Sequence, residues 1–398
     1  MATRVDGKKR MLLLELPDRR LAEAHLRLQK QAGKWVLEDL GSKAGTFVNG
    51  ERVAGSRVLE GGDRLEIGHV TLGFELLVPS DPASVDLGVH PADPALATAL
   101  PEIEQELADL AAMALQPLPI MLRGESGVGK ELLAKTVHRL SGRAGRFVPI
   151  TCSALPAQLV EAELLGSKKG AYKGATEDRA GLLAASDQGT LFLDEVSDLP
   201  LPAQGALLRV LQESEVTPLG TTRPLKLDLR VVTATHRDLD SLSRQGRFRH
   251  DLLARLSGFT LRLAPLRERK SDLGLFIPAL LERHFASRAH LIRFAHPATR
   301  AMFSHSWPHN VRELEQALRS AVTLAADGPI ELRHLPEAVR RRRPSLSADD
   351  LRRKDELFGL LRDNGGNVSA AATAMGKARM QIQRWIKRFE IDVAALRR

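Results

Sequence analysis

The feature that most constrains the fold is an apolar run, a glycine-rich loop and a helical pattern in direct succession, in the segment PIMLRGESGVGKELLAKTV, residues 119–137. The backbone amides of such a loop converge on phosphate oxygens, and the start of the following helix adds its positive dipole end. Lys130 would neutralise the β and γ phosphates. The segment therefore predicts an α/β nucleotide-binding core whose loop contacts the nucleotide through Gly124, Glu125, Ser126, Gly127, Val128, Gly129, Lys130 and Glu131.

A second apolar strand pattern, TLFLDEV at residues 190–196, ends in two carboxylates. Asp194 has the position of a magnesium ligand, and Glu195 that of the group which polarises an attacking water. A glycine loop alone is sometimes an incidental turn. The two segments together predict nucleoside triphosphate hydrolysis, with Lys130, Asp194 and Glu195 as catalytic residues and Mg²⁺ on Asp194.

The length of 398 residues exceeds what one hydrophobic core usually organises, so we expect two to three domains. No apolar run approaches the roughly 18 residues of a membrane span, and the first residues make no convincing signal peptide, which predicts a cytoplasmic protein. The single cysteine, Cys152, excludes an internal disulfide and is expected to be a small buried apolar group.

Two breaks divide the chain. The segment VPSDPASVDLGVHPADPALAT has neither helical nor strand periodicity and is typical of a linker, and RRRRPSLSADD, residues 340–350, precedes the last helical stretch. The predicted domains are a β-sandwich at 1–80, a linker at 81–98, an α/β core at 99–265, a helical part at 266–342 and an all-α unit at 343–398.

The first unit consists of short apolar or alternating runs between turn residues, at Met11 to Leu16, Trp35 to Leu37, Thr46 to Val48, Arg64 to Ile67 and Val70 to Leu77. This spacing predicts a β-sandwich. The segments LEDLGSKAGTFVNGERV and LEGGDRLEIG resemble the forkhead-associated (FHA) domain, a sandwich that commonly captures phosphothreonine peptides.

The resemblance places Lys8, Ser42 and Lys43 in the FHA phosphate pocket. Three other positions depart from the family pattern, since Ala22 and Ala44 lack polar groups and Glu23 carries a negative charge where phosphate is expected. A protein-interaction or ring-regulating role without phosphate readout is therefore favoured over phosphothreonine binding, and His25 is expected to be structural.

The second unit resembles the sigma-54 activator branch of AAA+ ATPases from about residue 116 to 340. The P-loop has the form GESGVGKE, and four further segments follow in the family's order: AELLGSKKGAYKGATEDRAGLL, LRVVTATHRDL, FRHDLLARLSGFTLRLAPLRERKSDL and SHSWPHNVRELEQAL. They resemble the loop that contacts the sigma factor, the sensor I strand, the arginine-finger region and the helical lid.

The resemblance implies a hexameric or heptameric ring with ATP and Mg²⁺ between subunits and sigma-54 RNA polymerase as partner. Arg249 and Arg255 match the finger positions that act on the neighbour's ATP, and His236 and Arg312 match the two sensor positions. The sigma-factor loop comprises Gly170, Ala171, Tyr172, Lys173, Gly174 and Ala175.

Two departures leave other functions open. Lys173 replaces a loop-tip threonine, which favours a DNA-binding ATPase that does not engage sigma-54, and Thr151 replaces an asparagine that restrains the catalytic glutamate in many relatives. Together with the lack of a clear adenine-side motif, Thr151 favours a nucleotide-gated scaffold. An ATP-hydrolysing transcription regulator remains the leading interpretation.

The carboxy-terminal residues 340–398 carry 15 Lys and Arg against 7 Asp and Glu, so most of the chain's net charge of +9 lies there. The segment DELFGLLRDNGGNVSAAATAMGKARMQIQRWIKRF predicts a tight turn at Gly376 and a basic helix from about Arg379 to Phe389, and it resembles the Fis-like helix-turn-helix. Ile382, Trp385 and Ile386 are expected in its core. Arg379, Gln381, Gln383 and Arg384 are candidates for base edges of DNA, and Lys377, Lys387 and Arg388 for phosphates.

Overall fold

The structure is a computed structural model that describes residues 2–6, 9–14, 16, 18–76, 94–156, 159–172, 174–341, 348–389, 391, 393 and 396. The chain forms two compact units, Met1–Arg341 and Arg342–Arg398. No helix in the described ranges combines the length and apolar character that a bilayer crossing requires.

The amino-terminal part of the first unit is an antiparallel β-sandwich, which confirms the predicted fold of this region. Its strands are β1 (Ala2–Asp6), β2 (Lys9–Leu13), β3 (Leu26–Gln31), β4 (Lys34–Asp39), β5 (Thr46–Val48), β6 (Glu51–Arg52), β7 (Ser56–Val58), β8 (Asp63–Ile67) and β9 (Val70–Phe74). One sheet has the order β3-β4-β7 and the other β6-β5-β8-β9, and β1 pairs with β2. Leu37, Val48 and Leu65 fill the space between the two sheets.

The central part is a three-layer α/β core. The strands are β10 (Ile120–Arg123), β11 (Phe147–Thr151), β12 (Gly166–Ser167), β13 (Arg179–Ala180), β14 (Thr190–Asp194), β15 (Glu215–Val216), β16 (Leu225–Lys226), β17 (Arg230–Thr235) and β18 (Phe259–Arg262). Five of them form a parallel sheet in the order β11-β14-β17-β10-β18. All six residues of β17 are buried, as expected for a central strand with both faces covered.

The helices of this core are α1 (Pro101–Ala114), α2 (Lys130–Leu140), α3 (Val160–Leu165), α4 (Leu182–Ala185), α5 (Leu201–Glu213), α6 (Leu239–Arg244) and α7 (His250–Leu256). Two hydrophobic clusters cover the sheet, one that includes α1 and α2 and one that includes α5 and α7. The phosphate loop joins β10 to α2, and Asp194 and Glu195 lie at the end of β14, so the loop and the two carboxylates are at the carboxyl edge of the same sheet.

Residues 94–98, which the sequence assigns to the linker, are already part of this unit. Pro94–Leu96 form a 3-10 helix, and Leu96 is buried in the cluster beneath α1 and α2. The Thr98 hydroxyl and the Ala99 amide both donate to the carboxylate of Asp272, a residue with no exposed surface. These bonds fix the chain against the lid just before α1 begins at Pro101, where proline suits the first turn.

The lid is helical, with α8 (Leu273–Phe285), α9 (His296–Ser304), α10 (Asn310–Ala325) and α11 (Glu337–Arg340). Trp307 is fully buried at the centre of its core and donates from Nε1 to the Met302 carbonyl. Ala298 and Met302 hold α9 against this core by one face, which leaves the opposite face of α9 for other contacts.

The second unit is a small helical domain of α12 (Ala348–Asp363), α13 (Val368–Ala374) and α14 (Arg379–Phe389). Asn367 caps α13 by accepting the amides of Ser369 and Ala370. Gly376 has φ +61° in the turn before α14, a conformation that favours glycine. Ile382, Trp385 and Ile386 pack into the core of this unit, as predicted.

Candidate active site

The phosphate loop follows β10 at the carboxyl edge of the sheet. Gly127 and Gly129 have φ of +79° and +108°, and a Cβ at Gly127 would overlap the carbonyl oxygen of His309 in the lid. Glycine at 127 is therefore required both by the backbone conformation and by the close approach of the lid. Such a loop presents its amides outward, which fits the phosphates of a nucleotide.

The side chains of the loop have different environments. The side chain of Val128 is buried in the core, so this residue contributes only its backbone to the nucleotide-facing side of the loop. Glu131 pairs with Lys135 at 2.7 Å on the surface of α2. Lys130 is buried, and its ammonium donates to the carbonyls of Gly124 at 2.7 Å and Glu125 at 3.2 Å. Backbone carbonyls are neutral, so they do not cancel the charge of this buried ammonium, which remains able to bind an anion.

The two carboxylates at the end of β14 are beside this ammonium. Burial raises the pKa of Asp194 and the Glu195 carboxylate raises it further, while Lys130 opposes both. In the described ranges no group of three or more His, Cys, Asp or Glu could hold a metal by itself. Magnesium commonly binds through one or two carboxylates together with substrate phosphates, and Asp194 beside the phosphate loop fits that pattern.

Glu195 is held by three contacts. Its Oε2 lies 2.7 Å from His236 Nδ1 and 3.3 Å from the His236 amide, and its Oε1 lies 3.4 Å from Lys130 Nζ. Glu195 has φ +52°, a backbone conformation that non-glycine residues rarely adopt and that recurs at functional sites. His236 follows the last residue of β17, so the neighbouring strands β14 and β17 supply the two partners.

The lid closes over the phosphate loop through four residues. Arg312 Nη1 lies 3.1 Å from the Ser126 hydroxyl, and Arg267 makes a two-bond ion pair with Glu125 at 2.9 and 2.7 Å. The buried Asn310 donates to Glu125 at 3.1 Å and to the Ser126 carbonyl at 3.0 Å, and the Val311 amide donates to the Gly127 carbonyl. The Arg267 ion pair, against burial, lowers the pKa of Glu125.

Of these lid contacts, sequence reasoning predicted only Arg312 and missed Arg267 and Asn310. Both residues lie in segments that resemble the family, LRERK and PHNVRELE. Their partner Glu125 is 142 and 185 residues away in the chain, so no local pattern indicates the pairing. Asn310 is a polar residue two positions before the predicted sensor residue Arg312, and this position could have indicated that it contacts the phosphate loop.

The two predicted arginine fingers are near the ends of α7 and point elsewhere within this chain. Arg249 pairs with Asp251 at 2.6 Å, and Arg255 donates to the Leu211 carbonyl at 2.9 Å. The structure therefore does not bring either of them to Lys130, Asp194 or Glu195 of its own subunit. Their action on a neighbouring subunit remains a prediction.

The predicted sigma-factor loop lies between the paired strands β12 and β13. The Gly170 amide donates to the Ala175 carbonyl at 2.8 Å, and the Ala175 amide donates to the Tyr172 carbonyl at 3.0 Å, which closes a narrow turn. Ala171 and Gly174 belong to the same turn, and Lys173 lies outside the described residues. The Leu219 backbone bonds to Gly166 and Lys168 at the base of the loop.

The residues predicted to bind DNA all present exposed side chains in the second unit: Lys377, Arg379, Gln381, Gln383, Arg384, Lys387 and Arg388. Six of the seven lie on α14 and the seventh follows the turn at Gly376. The Arg388 guanidinium also contacts the Phe389 ring at 5.9 Å.

In the FHA pocket, Ser42 is buried and its hydroxyl donates to Asp39 at 2.7 Å. Burial alone would raise the pKa of Asp39, but hydrogen bonds from Thr46, Ser42 and Gly41 lower it to about 2. A hydroxyl has one proton, so Ser42 has none to offer a phosphate oxygen in this conformation. Lys43 is exposed, and Lys8 lies outside the described residues.

His25 is buried between two loops of the sandwich. Its Nδ1 accepts from the Ala22 amide at 3.2 Å, and its Nε2 lies 3.4 Å from the Gly45 carbonyl. These bonds join the loop before β3 to the loop before β5, as the predicted structural role requires.

Three protein-family descriptions match successive parts of the chain. The sigma-54 interaction domain matches residues 96–262, the AAA+ ATPase lid domain residues 267–351, and the FHA domain residues 7–68. The chain is 36% identical over 304 residues to Transcriptional regulatory protein GlrR of Escherichia coli (strain K12), covering 75% of this chain and 68% of the relative. It is 39% identical over 295 residues to Hydrogenase transcriptional regulatory protein HoxA of Bradyrhizobium diazoefficiens, covering 69% and 60%.

Among solved structures, NtrX from Brucella abortus in complex with ATP matches with a TM-score of 0.55 and 28% identity, over 74% of this chain and 69% of NtrX. Most of this chain thus shares its fold with a protein whose complex with ATP has been solved. Membership implies nucleotide binding, oligomerisation and sigma-54 RNA polymerase as partner. The chain belongs to the family of sigma-54-dependent transcriptional regulators and is an ATPase of the AAA+ type.

Proposed function

We propose that a hexameric ring of this chain uses ATP turnover to remodel promoter-bound sigma-54 RNA polymerase at sites chosen by its second unit. The observation that carries the proposal is the convergence of Lys130, Glu195 and His236 next to a phosphate loop that the lid covers. These groups have the chemistry that phosphoryl transfer to water requires.

Three side chains carry out the local chemistry. Lys130 neutralises phosphate charge, Glu195 orients and polarises the attacking water, and His236 fixes the direction of the Glu195 carboxylate. His236 and Lys130 bond to different oxygens of Glu195, so a phosphate that draws Lys130 away would remove one contact and leave the carboxylate held by His236. Nucleotide state is thereby coupled to the orientation of the water-activating group.

Asp194 would hold Mg²⁺, which supplies charge neutralisation at the transferring phosphoryl group. Burial raises the pKa of the Asp194 carboxylate, and the charge of Glu195 raises it further. A divalent cation at this position would stabilise the ionised carboxylate against both effects, which supports the assignment.

Hydrolysis is coupled to lid position through Arg312. Its guanidinium bonds to Ser126 within the phosphate loop, while Asn310 and Arg267 hold the same loop from the lid. A change of charge at the loop therefore acts directly on α10. Arg249 and Arg255, both exposed on their own subunit, would complete the site of the neighbour in the ring.

The loop from Gly170 to Ala175 would contact sigma-54, and α14 would enter the major groove of DNA. Lys173 adds a long cationic side chain at the loop tip. The FHA sandwich would bind a protein partner without recognising phosphate, because the Ser42 hydroxyl already donates its hydrogen bond to Asp39.

The test uses the full chain with ATP and Mg²⁺ on a closed complex of sigma-54 RNA polymerase, with promoter melting followed by permanganate footprinting. The parent chain should open the promoter, and Glu195→Gln should bind ATP and open nothing. Lys173→Thr is the matched loop variant. ATP turnover with no opening by either the parent or Lys173→Thr would contradict the proposal and favour a DNA-binding ATPase that does not engage sigma-54.

A further inference from the structure

Glu66 is buried where the strand pattern predicts an exposed side chain. Its neighbours in β8, Leu65 and Ile67, point into the sandwich core, so Glu66 points out of the opposite face of the sheet. It nevertheless keeps only 1% of its surface exposed. A carboxylate is rarely buried in this way without a charged partner.

The partner is Arg300 of the lid helix α9. Arg300 Nε lies 3.0 Å from Glu66 Oε1, and the guanidinium passes so close to the Asn49–Gly50 turn that a Cβ at Gly50 would overlap it. Neither Arg300 Nε nor Glu66 Oε1 completes a hydrogen bond. Glu66 is buried, but the Arg300 side chain keeps 39% of its surface exposed, so solvent weakens the attraction and this contact can be released at small cost.

A second set of contacts lies beside this ion pair. Thr71, which is opposite Glu66 in the register of β8 and β9, has its hydroxyl 3.2 Å from His296 Nδ1 and 3.1 Å from the Thr299 hydroxyl. His296 Nε2 lies 2.9 Å from the Gly68 carbonyl. One face of α9, through His296, Thr299 and Arg300, therefore lies along the outer face of the second FHA sheet.

The contact continues to the residues that precede α8. Glu75 Oε1 lies 3.2 Å from the Ser271 hydroxyl. Lys270 is covered here, and burial together with the nearby charge of Arg64 lowers its pKa. Two cationic side chains are therefore near each other at this point, and their repulsion opposes the contact.

The docked helix leads directly to the phosphate loop. The opposite face of α9 holds the lid core through Met302, whose carbonyl accepts from Trp307, and α10 then carries Asn310 and Arg312 to Ser126. On the FHA side, His69 next to Gly68 bonds to Asp18 in the loop that leads to Ala22 and His25. The docking surface thus lies between the predicted partner-binding loops and the ATPase site.

We propose that the outer face of the second FHA sheet is a docking surface for helix α9 of the lid, and that docking restrains ATP turnover. The lid must follow each change of charge at the phosphate loop, and a lid that carries the docked sandwich is less free to do so. A protein that binds the FHA loops and shifts the Gly68–His69 turn would release the restraint.

The experiment is a charge exchange in the full chain. Glu66→Arg and Arg300→Glu each place like charges together, and the double variant restores an ion pair of reversed sign. Each single variant should raise ATP turnover about fivefold or more and increase amide hydrogen exchange in Asp63–Ile67 and His296–Ser304. The double variant should return both quantities towards those of the parent.

Glu38→Arg is the matched control, because Glu38 pairs with Arg27 on the other sheet of the sandwich and should leave turnover unchanged. Thr299→Arg, a bulky change on the lid side, should release the sandwich without any change in the FHA fold. Unchanged amide exchange in the single variants would overturn the docking surface. Increased exchange with unchanged or lower turnover would overturn the restraint.

Discussion

His236 Nδ1 lies 2.7 Å from Glu195 Oε2, so the residue proposed as sensor I directly holds the carboxylate proposed to activate water. The contact is short for a hydrogen bond between an imidazole and a carboxylate, and Glu195 is mostly covered while His236 is nearly half exposed. The orientation of a catalytic carboxylate can change the rate by large factors, because a small displacement moves the attacking water out of line with the phosphorus atom and the leaving group.

We therefore predict that His236→Ala lowers kcat for ATP about 10- to 100-fold with little change in KM. His236→Asn, which keeps a donor near Glu195, should retain more of the parent rate. Thr151→Ala is the matched control and should have a small effect, since Glu195 bonds to His236 and Lys130. A kcat for His236→Ala equal to that of the parent would contradict the proposal that His236 positions Glu195.

Asp194 gives a pH-dependent prediction. Its folded-state pKa is raised by burial and by Glu195, so folding favours the protonated form. The stability that this group contributes is present at low pH and is lost as pH rises through the raised pKa, which makes the ionised carboxylate a cost at neutral pH. Asp194→Asn should then raise the thermal midpoint at pH 7.5 without Mg²⁺, and the gain should disappear at pH 3.

The same variant should lose Mg²⁺-dependent ATP turnover. Asp198→Asn is its control, because Asp198 pairs with Arg237 at 2.9 Å and should be slightly destabilised instead. Scanning calorimetry with and without Mg²⁺ measures the thermal midpoints of both variants, and an ATPase assay measures turnover. A lower midpoint for Asp194→Asn at pH 7.5 would show that the carboxylate is stabilising and that the sign is wrong.

Asn310 joins the lid to the core through buried bonds. Its Oδ1 accepts the Leu266 amide at 2.8 Å, its Nδ2 donates to the Ser126 carbonyl, and its φ is +56°. Asn310→Ala should lower the free energy of unfolding by about 3 kcal/mol, since it leaves a buried amide unpaired and strains the backbone. Asn310→Gly, which tolerates this φ, should lose about 2 kcal/mol. Equal losses in urea unfolding would argue against backbone strain.

Cys152 is predicted to be chemically inert in the folded chain. Burial, with smaller contributions from Asp194, Asp198 and Glu195, raises the pKa of its thiol to about 12. Iodoacetamide at pH 8 should label it only after unfolding in urea, as measured by mass spectrometry. Rapid labelling of the native chain would mean that this part of the core opens readily.

Two substitutions on α14 should separate affinity for DNA from sequence choice. Lys387→Ala should weaken binding to all sequences alike and reduce the slope of log K against log salt by about 1. Arg384→Ala should cost about 1–3 kcal/mol on the preferred site and little on unrelated DNA. Anisotropy titrations at several salt concentrations measure both, and an unchanged salt slope for Lys387→Ala would place that side chain away from phosphate.

Local patterns predicted much of this molecule. The strand Thr46–Val48 and the helix Arg379–Phe389 have the expected bounds, since turn residues limit both segments closely. Other strands were missed or extended too far. The predicted strand Met11 to Leu16 ends at Leu13, and β3 was not predicted because its residues Leu26–Gln31 are mainly polar and exposed.

Long-range contacts were the part that the sequence could not provide. Glu125 pairs with Arg267, and Glu66 pairs with Arg300. Each pair joins residues far apart in the chain, and no helical or strand periodicity links them. Alternation along β8 places Glu66 on the outer face of the sheet, and Glu66 is nevertheless buried because the lid covers that face. The P-loop and the paired carboxylates were predictable because their chemistry requires contiguous residues.

The chain leaves the sandwich and enters the core at almost the same place on the lid, since Glu75 and Thr98 bond to the adjacent residues Ser271 and Asp272. The described residues on either side of positions 77–93 are therefore held close together on the lid, as the two ends of a closed loop are. Doubling the length of such a loop costs only about 0.6 kcal/mol, so insertions there should hardly alter how often the sandwich meets the lid. A single cut in the same segment would instead make that encounter intermolecular and dependent on protein concentration.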